Sequence, residues 1–397
     1  MAVLGAGIMG ASTALFLARG GVRVTLFDAA SAVCAGASRW NEGKIHLGHL
    51  YAADPSLRTA ARLLPGGLAF RPLIEALVDR SIEPALSPHD DLYLVHRRSV
   101  VDAEAAGRYY DAVTALAASH REAAHYLVPI RDPRATRLSS AELARVTAGE
   151  PIVAGFRVPE RSVSTRWIAD RLVDAIDATP RITQRLDTRV TGIATGVHGL
   201  EGPLTVTTID GDDGPYDAVV NALWEGRLGV DAALHLATPA TWSHRYRVAV
   251  FLRTTRPVTM PNAVIATGPF GDAKNYDGRD LYLSWYDTGL LSSGTGLVPP
   301  ARPDLDDRHA AALADEVIAR LGAVLPGVRD LPAITQSRQV SGGWVFAAGH
   351  GPLDDPASTL HRRDRIGIAR HGRYVSVDTG KYSVAPWLAR TVADMLL

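Results

Sequence analysis

Three glycines near the start of the chain have the spacing needed to bind a phosphate-bearing ligand. Gly5, Gly7 and Gly10 follow a short apolar strand and open a helix-like stretch. In this Gly-x-Gly-x-x-Gly pattern the first glycine permits a tight turn, the second lets the backbone approach a pyrophosphate, and the third lets the helix pack closely on the strand. Ile8 and Met9 then lie at the helix N-terminus, whose dipole favours phosphate.

A carboxylate stands where the ribose of a dinucleotide would need one. The next predicted strand, residues 22–27, ends at Asp28. A carboxylate about 20 residues after the glycine turn can accept hydrogen bonds from ribose hydroxyls. The order of strand, glycine turn, helix, strand and carboxylate predicts a dinucleotide-binding βαβ unit.

Composition narrows the class of protein. Hydrophobic residues make up 47% of the 397 residues, charged residues make up 21%, and the formal net charge is zero. These values are typical of a globular enzyme of about two domains and give no general attraction to nucleic acid or anionic membranes. No apolar run approaches the roughly 20 residues that span a bilayer. Cys34 is the single cysteine, which excludes internal disulfides and favours a reducing cytoplasm.

Lysine is rare in this chain. Only Lys44, Lys274 and Lys381 are lysines among 42 basic residues, and the others are arginines. This bias is typical of a GC-rich genome. The three lysines are therefore either retained for their chemistry or chance survivors.

A polar loop over residues 37–51 follows the second strand and holds Lys44, His46 and His49. Its run Asn41-Glu-Gly-Lys-Ile-His-Leu-Gly48 resembles a segment of the L-2-hydroxyglutarate dehydrogenase branch of the D-amino-acid oxidase and glycine oxidase superfamily. In that superfamily the loop passes beside the flavin isoalloxazine. The resemblance implies FAD contacts from this loop at Ser38, Arg39, Asn41, Gly43, Lys44 and His46.

The C-terminal segment, residues 373–387, reads as a strand, a glycine turn and a helix with an early proline. Its Gly380-Lys381 turn is similar to that of the glycerol-3-phosphate dehydrogenase branch. The resemblance implies FAD rather than NAD, with contacts from Gly380, Lys381 and Tyr382. It also implies a second helix N-terminus that is directed at the flavin pyrimidine carbonyls and stabilises the anionic reduced flavin.

The segment from Tyr216 to Ala222 resembles the family strand that leads into Asn-Ala-x-Gly. Leu223-Trp224 replaces the usual continuation, so an indole could line the flavin or substrate cavity. The resemblance implies further FAD contacts in this part of the chain from Val190, Asn221, Ala222 and Trp224.

The sequence leaves open whether the reduced flavin reacts with oxygen, as in an oxidase, or with another acceptor, as in a dehydrogenase. The sarcosine oxidase branch uses a lysine of the substrate domain to promote the reaction with oxygen. The stretch that roughly corresponds here, residues 287–294, has no lysine. Lys44, Lys274 or Lys381 could serve instead, so both an oxidase and a dehydrogenase are compatible with the sequence.

Orientation of an amino or hydroxy acid requires an arginine against its carboxylate. Arg338 is the first candidate because the family often places such an arginine before its last sheet segment, although a surface position is the alternative. Arg245 and Arg247, on one face of a predicted strand, are the reserve candidates. Tyr282 and Tyr286 share a strand face with each other and could wall the substrate pocket, or could simply pack.

His46 has three interpretations. It is a buried histidine satisfied by backbone, a hydrogen-bonding neighbour of the flavin, or the site of a covalent bond to the flavin 8α-methyl. The dimethylglycine dehydrogenase branch, which the loop loosely resembles, uses a histidine in this neighbourhood for that bond. The spacings of His49, His350 and Asp354-Asp355 match no metal-ligand pattern, so no metal site is expected.

These observations predict an α/β fold with a Rossmann-like, discontinuous FAD-binding domain and a second α+β substrate domain of antiparallel or mixed sheet and helices. The FAD domain is expected over residues 1–80, 150–235 and 335–397, and the substrate domain over 81–149 and 236–334.

The leading functional hypothesis is an FAD-dependent oxidoreductase that oxidises a C–N bond of a small amine or amino acid, in a setting compatible with secondary metabolism. The alternatives are a 2-hydroxy-acid or polyol dehydrogenase that uses an acceptor other than oxygen, and a non-redox flavin-binding partner subunit.

Overall fold

The first of three sheets is assembled from segments far apart in the chain. The structure is a computed structural model that describes residues 1–238 and 241–397. In spatial order, the six strands of this sheet are β17 (Gly367–His371), β18 (Tyr374–Asp378), β10 (Val219–Asn221), β1 (Ala2–Leu4), β2 (Val24–Phe27) and β6 (Ile182–Arg185). All neighbouring pairs are parallel except β17 and β18.

The second sheet has nine strands and mixed pairing. In spatial order, eight of its strands are β15 (Leu290–Thr295), β11 (Trp242–Thr254), β14 (Asp280–Trp285), β13 (Gly271–Asn275), β12 (Ala263–Ala266), β3 (Asp91–His96), β5 (Ile152–Val158) and β4 (Thr136–Arg137). The ninth, β16 (Thr335–Ala348), runs antiparallel to β11 along nearly its whole length.

A small antiparallel sheet completes the strands, with β7 (Val190–Thr195), β8 (Leu204–Thr208) and β9 (Gly211–Tyr216). The helices are α1 (Ile8–Arg19), α2 (Arg58–Val78), α3 (Ala103–Ser119), α4 (Ser140–Val146), α5 (Thr165–Asp177), α6 (Arg227–Ala233), α7 (Asp307–Val324) and α8 (Ala385–Leu396).

The helix boundaries follow local sequence signals. The side chain of Ser139 accepts from the Glu142 amide while the Glu142 carboxylate accepts from the Ser139 amide, which forms the capping box that begins α4. Ser164 caps α5 through the Trp167 amide. Both caps confirm the starts that the sequence predicts.

Helices α1 and α8 form successive layers on the first sheet, and α7 covers the second sheet. Helix α1 is buried along nearly its whole length because it lies between the sheet and α8. Helix α7 instead covers one face of the second sheet, where Val248, Val250 and Leu283 meet Val317 and Leu321. Alternation along β11 and β14 places the residues between these apolar ones on the opposite face.

This architecture confirms the predicted α/β class with a second mixed-sheet layer. Strand pairing adds information on the predicted domain division, because β5 and β16 lie in the second sheet although their residues fall in segments expected for the FAD domain. Alternation in a sequence reveals a strand but not its partner. The two-domain division is therefore kept as a proposal, with these two strands on the substrate side.

Among the residues described, no helix has both the length and the apolar character to cross a bilayer.

The close packing of α1 on β1 gives a direct test of the glycine turn. A Cβ atom at Gly10 would overlap the Gly5 carbonyl oxygen, so Gly10→Ala forces the helix away from the strand. We expect a loss of unfolding free energy of about 1–3 kcal/mol and a lower flavin content in the purified protein. Thermal unfolding and the visible spectrum measure the two effects.

Gly196→Ala is the matched control, because a Cβ there meets no atom within 4 Å. Equal stability and equal flavin content in the two variants would contradict the role given to Gly10.

Candidate active site

The glycine turn forms a cradle that only glycine fits. Gly5 has a φ of +93°, and a Cβ there would lie 2.6 Å from the carbonyl oxygen of Ala222. Gly7 is the N-cap of α1 but supplies no side-chain cap, and the first turn has no acidic residue. The positive end of α1 is therefore not neutralised by its own helix, which is the arrangement that binds a phosphate.

Asp28 closes the same turn. Its two carboxylate oxygens accept hydrogen bonds from the amides of Ala6, at 2.6 Å, and Ala30, at 2.8 Å. Each oxygen retains a lone pair, so the carboxylate can still accept a hydrogen bond from a ribose hydroxyl.

The start of the polar loop lies against the N-terminus of α1. The Ser38 hydroxyl accepts a hydrogen bond from the Ile8 amide at 2.9 Å. The Asn41 side chain accepts from the Gly43 amide and donates to the Ala37 carbonyl, which folds the loop back on itself. Arg39 pairs with Asp170 of α5 at 2.7 Å. The loop is thus anchored between α1 and α5.

The C-terminal turn forms a second glycine corner. Gly380 has a φ of +63°, and a Cβ there would overlap the Ile366 side chain. Its amide donates to Asp378 at 3.1 Å. Lys381 lies 5.8 Å above the Tyr51 ring, whereas the Tyr382 ring packs on Phe70 with ring centroids 5.6 Å apart.

Four other predicted cofactor residues make contacts within the protein. Asn221 is buried and donates to the Tyr374 hydroxyl and the Arg227 carbonyl, so it fixes the end of β10. Ala222 faces Gly5, and Val190, the first residue of β7, packs against the hydrophobic cluster between the small sheet and the first sheet. The Trp224 indole donates to the Trp344 carbonyl at 2.8 Å, and its ring packs with Trp242 and Phe346.

Two of the three lysines share a single buried carboxylate. The Nζ atoms of Lys44 and Lys274 each lie 2.7 Å from Oδ2 of Asp91, the first residue of β3. All three side chains are at most 2% exposed. Lys44 also donates to the Tyr93 hydroxyl at 3.3 Å. This cluster, Lys44, Asp91 and Lys274, joins the polar loop to β3 and β13.

The pKa values of the two lysines move in opposite directions. Burial lowers the pKa of Lys274 to about 8, against the attraction of Asp91. Burial also acts on Lys44, but the charges of Asp91 and Glu160 outweigh it and raise the pKa of that ammonium. The ion pair with Asp91 gives Lys44 a role in positioning the loop, and its contact with flavin or substrate stays a prediction.

Glu160 fixes the far end of the same loop. Its Oε1 atom accepts hydrogen bonds from the amides of Leu47, at 2.6 Å, and Gly48, at 3.0 Å, while Oε2 accepts from the Tyr93 hydroxyl. Burial disfavours its charge, yet His49 and Lys44 hold the pKa of the carboxyl well below its usual value. An ionised Glu160 therefore ties the loop backbone to Tyr93 of β3.

His46 is buried and keeps one ring nitrogen without a partner. Its Nε2 atom lies 3.7 Å from Oε1 of Glu42, and Nδ1 has no hydrogen-bond partner among the described residues. Burial, together with the charge of Lys381, lowers the pKa of His46 to about 4. The ring is therefore neutral at physiological pH and has an open nitrogen, which fits a hydrogen bond or a covalent bond to a flavin.

The face of the second sheet opposite α7 carries the predicted aromatic and cationic residues. Arg245 is only 7% exposed and donates to the Tyr286 hydroxyl at 2.7 Å. The Arg247 guanidinium lies 4.2 Å from the Tyr286 ring centroid. Tyr282 packs edge-on against Phe251, which in turn packs on Trp40 of the polar loop. Trp285 faces α7 instead.

Arg338 does not join this group. It pairs in register with Leu252, whose side chain lies on the α7 face, and it forms an ion pair with Asp315 of α7 at 2.6 Å. The sequence placed it near the last sheet segment, but the strand register decides the face. Arg338 therefore lies on the side of α7, away from Arg245 and Arg247 on the opposite face of the sheet.

A cavity of about 350 Å³ lies beside the C-terminal turn. Asp378 and Gly380 line it on one side, and Phe346 and Arg363 line it elsewhere. Burial, together with the nearby charge of Arg245, lowers the pKa of the Arg363 guanidinium. The cavity and the Arg245–Tyr286 group are therefore neighbours.

These features fit FAD and agree with comparisons with known proteins. The model of the DAO family, described as FAD dependent oxidoreductase, matches residues 1–395. The chain belongs to this family and is an FAD-dependent oxidoreductase, which confirms the predicted superfamily and cofactor. No curated protein sequence matches the chain significantly.

Solved structures show the same fold at low identity. Glycine oxidase from Geobacillus kaustophilus is 17% identical with a TM-score of 0.70, and the match covers 100% of this chain and 93% of that one. Iminodiacetate oxidase (IdaA) from Chelativorans sp. BNC1 is 17% identical with a TM-score of 0.68, over 100% and 94%. L-proline dehydrogenase from P. horikoshii is 12% identical with a TM-score of 0.67, over 100% and 92%.

Sequence reasoning missed the acidic members of the site. Asp91 is the first residue of the apolar strand β3, Glu160 follows the end of β5 by two residues, and Asp272 lies on β13 two residues before Lys274. The signal that could have predicted their pairing with the lysines is an isolated acidic residue beside an apolar strand, in a chain with so few lysines. The contacts of individual residues with FAD stay predictions.

Removal of the shared carboxylate should be costly. Asp91→Asn leaves two buried ammonium groups without the carboxylate that they share, so we expect a loss of about 3–5 kcal/mol of unfolding free energy. Chemical denaturation measures it. Asp79→Asn is the control, because the Arg19–Asp79 pair is exposed and surface pairs contribute under about 1 kcal/mol. A similar small loss in both variants would contradict the role of Asp91.

The lowered pKa of His46 predicts a pH dependence of stability. The unfolded chain protonates this histidine near pH 6.5, but the folded protein does so only near pH 4. The unfolded state binds more protons in that window, so stability falls as the pH falls through it. His46→Gln should reduce the loss by up to about 1.4 kcal/mol per pH unit.

Denaturation curves at several pH values across this window measure the effect. His125→Gln, at an exposed position, is the control and should keep the slope of the parent protein. An unchanged slope in His46→Gln would mean that His46 titrates in the folded state as it does in water.

Proposed function

We propose that this protein oxidises a C–N bond of a small amine or amino acid to an imine, which water then hydrolyses. The observation that carries the proposal is the group formed by Arg245, Arg247 and Tyr286 beside the cavity at the C-terminal turn. Bound FAD supplies the hydride acceptor, its N5 atom. The protein must orient the substrate carbon and keep it in place.

Arg245 is the residue best suited to bind the substrate carboxylate. One of its N–H groups donates to Tyr286, while its buried Nε has no partner among the described residues. Arg247 likewise has a buried Nε without a partner in the described part of the chain. Buried guanidinium N–H groups without acceptors are costly, and a carboxylate satisfies two of them at once. The Tyr286 hydroxyl holds Arg245 in the orientation that this requires.

Separate parts of the chain would hold FAD. The α1 N-terminus and the Ser38 hydroxyl suit the pyrophosphate, and Asp28 suits the ribose. His46 and the turn at Gly380 suit the flavin end. The site should therefore hold the cofactor without metal ligands, through backbone amides and a few side chains.

A 2-hydroxy-acid dehydrogenase is the second candidate. The run from Asn41 to Gly48 favours a hydroxy-acid substrate. Asp91 engages both Lys44 and Lys274, which leaves Lys381 as the lysine outside that cluster. Because a lysine is expected to promote the reaction of reduced flavin with oxygen, this engagement favours another electron acceptor. A fold shared with both oxidases and a dehydrogenase is compatible with either electron acceptor.

Anaerobic mixing of the purified flavoprotein with amino acids, amines and matched 2-hydroxy acids tests the proposal. We expect amino acids or amines to bleach the flavin absorbance and the hydroxy analogues to leave it unchanged. Bleaching by hydroxy acids alone would replace the proposal with the second candidate. No bleaching by any compound, with normal reduction by dithionite, would favour a non-redox subunit.

Arg245→Gln should weaken substrate binding more than it slows flavin reduction at saturation. Loss of a charge-assisted pair raises the substrate Kd roughly 10- to 100-fold. The substrate dependence of the anaerobic reduction rate separates the two parameters. Arg308→Gln, exposed near the start of α7, is the control and should match the parent. An unchanged Kd in Arg245→Gln would remove Arg245 from the binding site.

A further inference from the structure

The cavity beside the C-terminal turn is unusually rich in arginine. Four of the residues that line it are arginines, and two are aspartates; these are Arg58, Arg362, Arg363, Arg365, Asp364 and Asp378. Arginine clusters of this kind repel one another unless negative charge compensates them. The question is therefore whether the protein itself supplies that charge.

Most of the nearby carboxylates are already engaged. Arg362 pairs with Asp54 at 3.5 Å, and Asp378 lies 3.7 Å from Arg227, a residue outside the cavity lining. Among residues 1–238 and 241–397, Arg58, Arg363 and Arg365 form no ion pair with a carboxylate. The charge of Asp378 also acts on Arg363, but Asp378 is shared with Arg227, so Asp364 and Asp378 together cannot neutralise the three guanidinium groups.

The excess positive charge continues toward the proposed carboxylate site. Arg363 lies near Arg245, and burial together with the charge of Arg245 lowers the pKa of Arg363. Arg245 and Arg247 are themselves without a carboxylate partner in the described residues. Arg58, Arg363 and Arg365 thus line the cavity, and Arg245 and Arg247, which share Tyr286, lie next to it through Arg363. A single carboxylate cannot satisfy all five of these guanidinium groups.

We propose that the substrate carries a second anionic group, which binds to Arg363 and Arg365 while Arg245 and Arg247 hold the first carboxylate. This inference rests on the proposed function and specifies its substrate class: an amine or amino acid with two acidic groups. Both a carboxylate and a phosphate have the required chemistry.

Binding of unreactive ligands tests the inference without catalysis. Succinate and its mono-amide, succinamate, are titrated into the purified flavoprotein while the flavin absorbance is followed. We expect succinate to bind roughly 10- to 100-fold more tightly, because an amide cannot form the second charge-assisted pair. Equal affinities would overturn the proposal.

Variants locate the second anion. Arg363→Gln and Arg365→Gln should each remove most of the preference for succinate, while Arg308→Gln should preserve it. Arg365 is exposed, so its variant stays informative even where the half-buried Arg363 is needed for folding. A preference that survives in Arg365→Gln and Arg363→Gln would place the second anion elsewhere and overturn the proposal.

Flavin reduction separates this inference from the proposed function. Glutamate is compared with glutamine, and phosphoserine with serine, in anaerobic mixing. Faster reduction by glutamate identifies a carboxylate, and faster reduction by phosphoserine identifies a phosphate. Reduction by neutral and acidic compounds alike would sink the inference and leave the proposed function standing. A preference for succinate without reduction by any compound would contradict the proposed function and leave the site for a second anion standing.

Discussion

A single buried carboxylate sets the position of the loop on which the site depends. Asp91 receives one ammonium from the polar loop, Lys44, and one from the second sheet, Lys274. Buried charges of this kind are stable only when each is compensated at close range. The loop therefore cannot shift relative to the sheet without exposing an unpaired charge to a low-dielectric interior. Glu160 adds a second anchor by accepting hydrogen bonds from the loop backbone.

With the loop fixed, the two faces of the second sheet take different roles. One face packs on α7 and supplies a hydrophobic core, while the other turns Arg245, Tyr286 and Tyr282 toward the loop and the C-terminal turn. Segments that follow strands of the first sheet contact the second sheet directly: the Trp224 indole donates to the Trp344 carbonyl, and the Tyr276 hydroxyl donates to the Glu42 carbonyl. The site is thus assembled from segments near both ends of the chain, which explains why its residues are so widely spaced in sequence.

The parts of this site that the sequence predicted are those that short-range patterns encode. The glycine turn at Gly5, the carboxylate of Asp28 and the corner at Gly380 each follow from local backbone requirements. The sequence could not show that Arg338 lies on the α7 side, because the face that a strand residue occupies depends on register with a distant strand. Asp91 was missed because a buried carboxylate is recognisable only once its lysine partners are brought together by the fold.

The release of nitrogen in a single turnover tests the central claim most directly. The flavoprotein is reduced anaerobically by the best acyclic amino acid or amine substrate, and free ammonia or amine is then measured against the amount of flavin reduced. Oxidation of a C–N bond followed by hydrolysis predicts one nitrogen released for each flavin reduced. Flavin reduction without nitrogen release would show that a different bond is oxidised and would contradict the account.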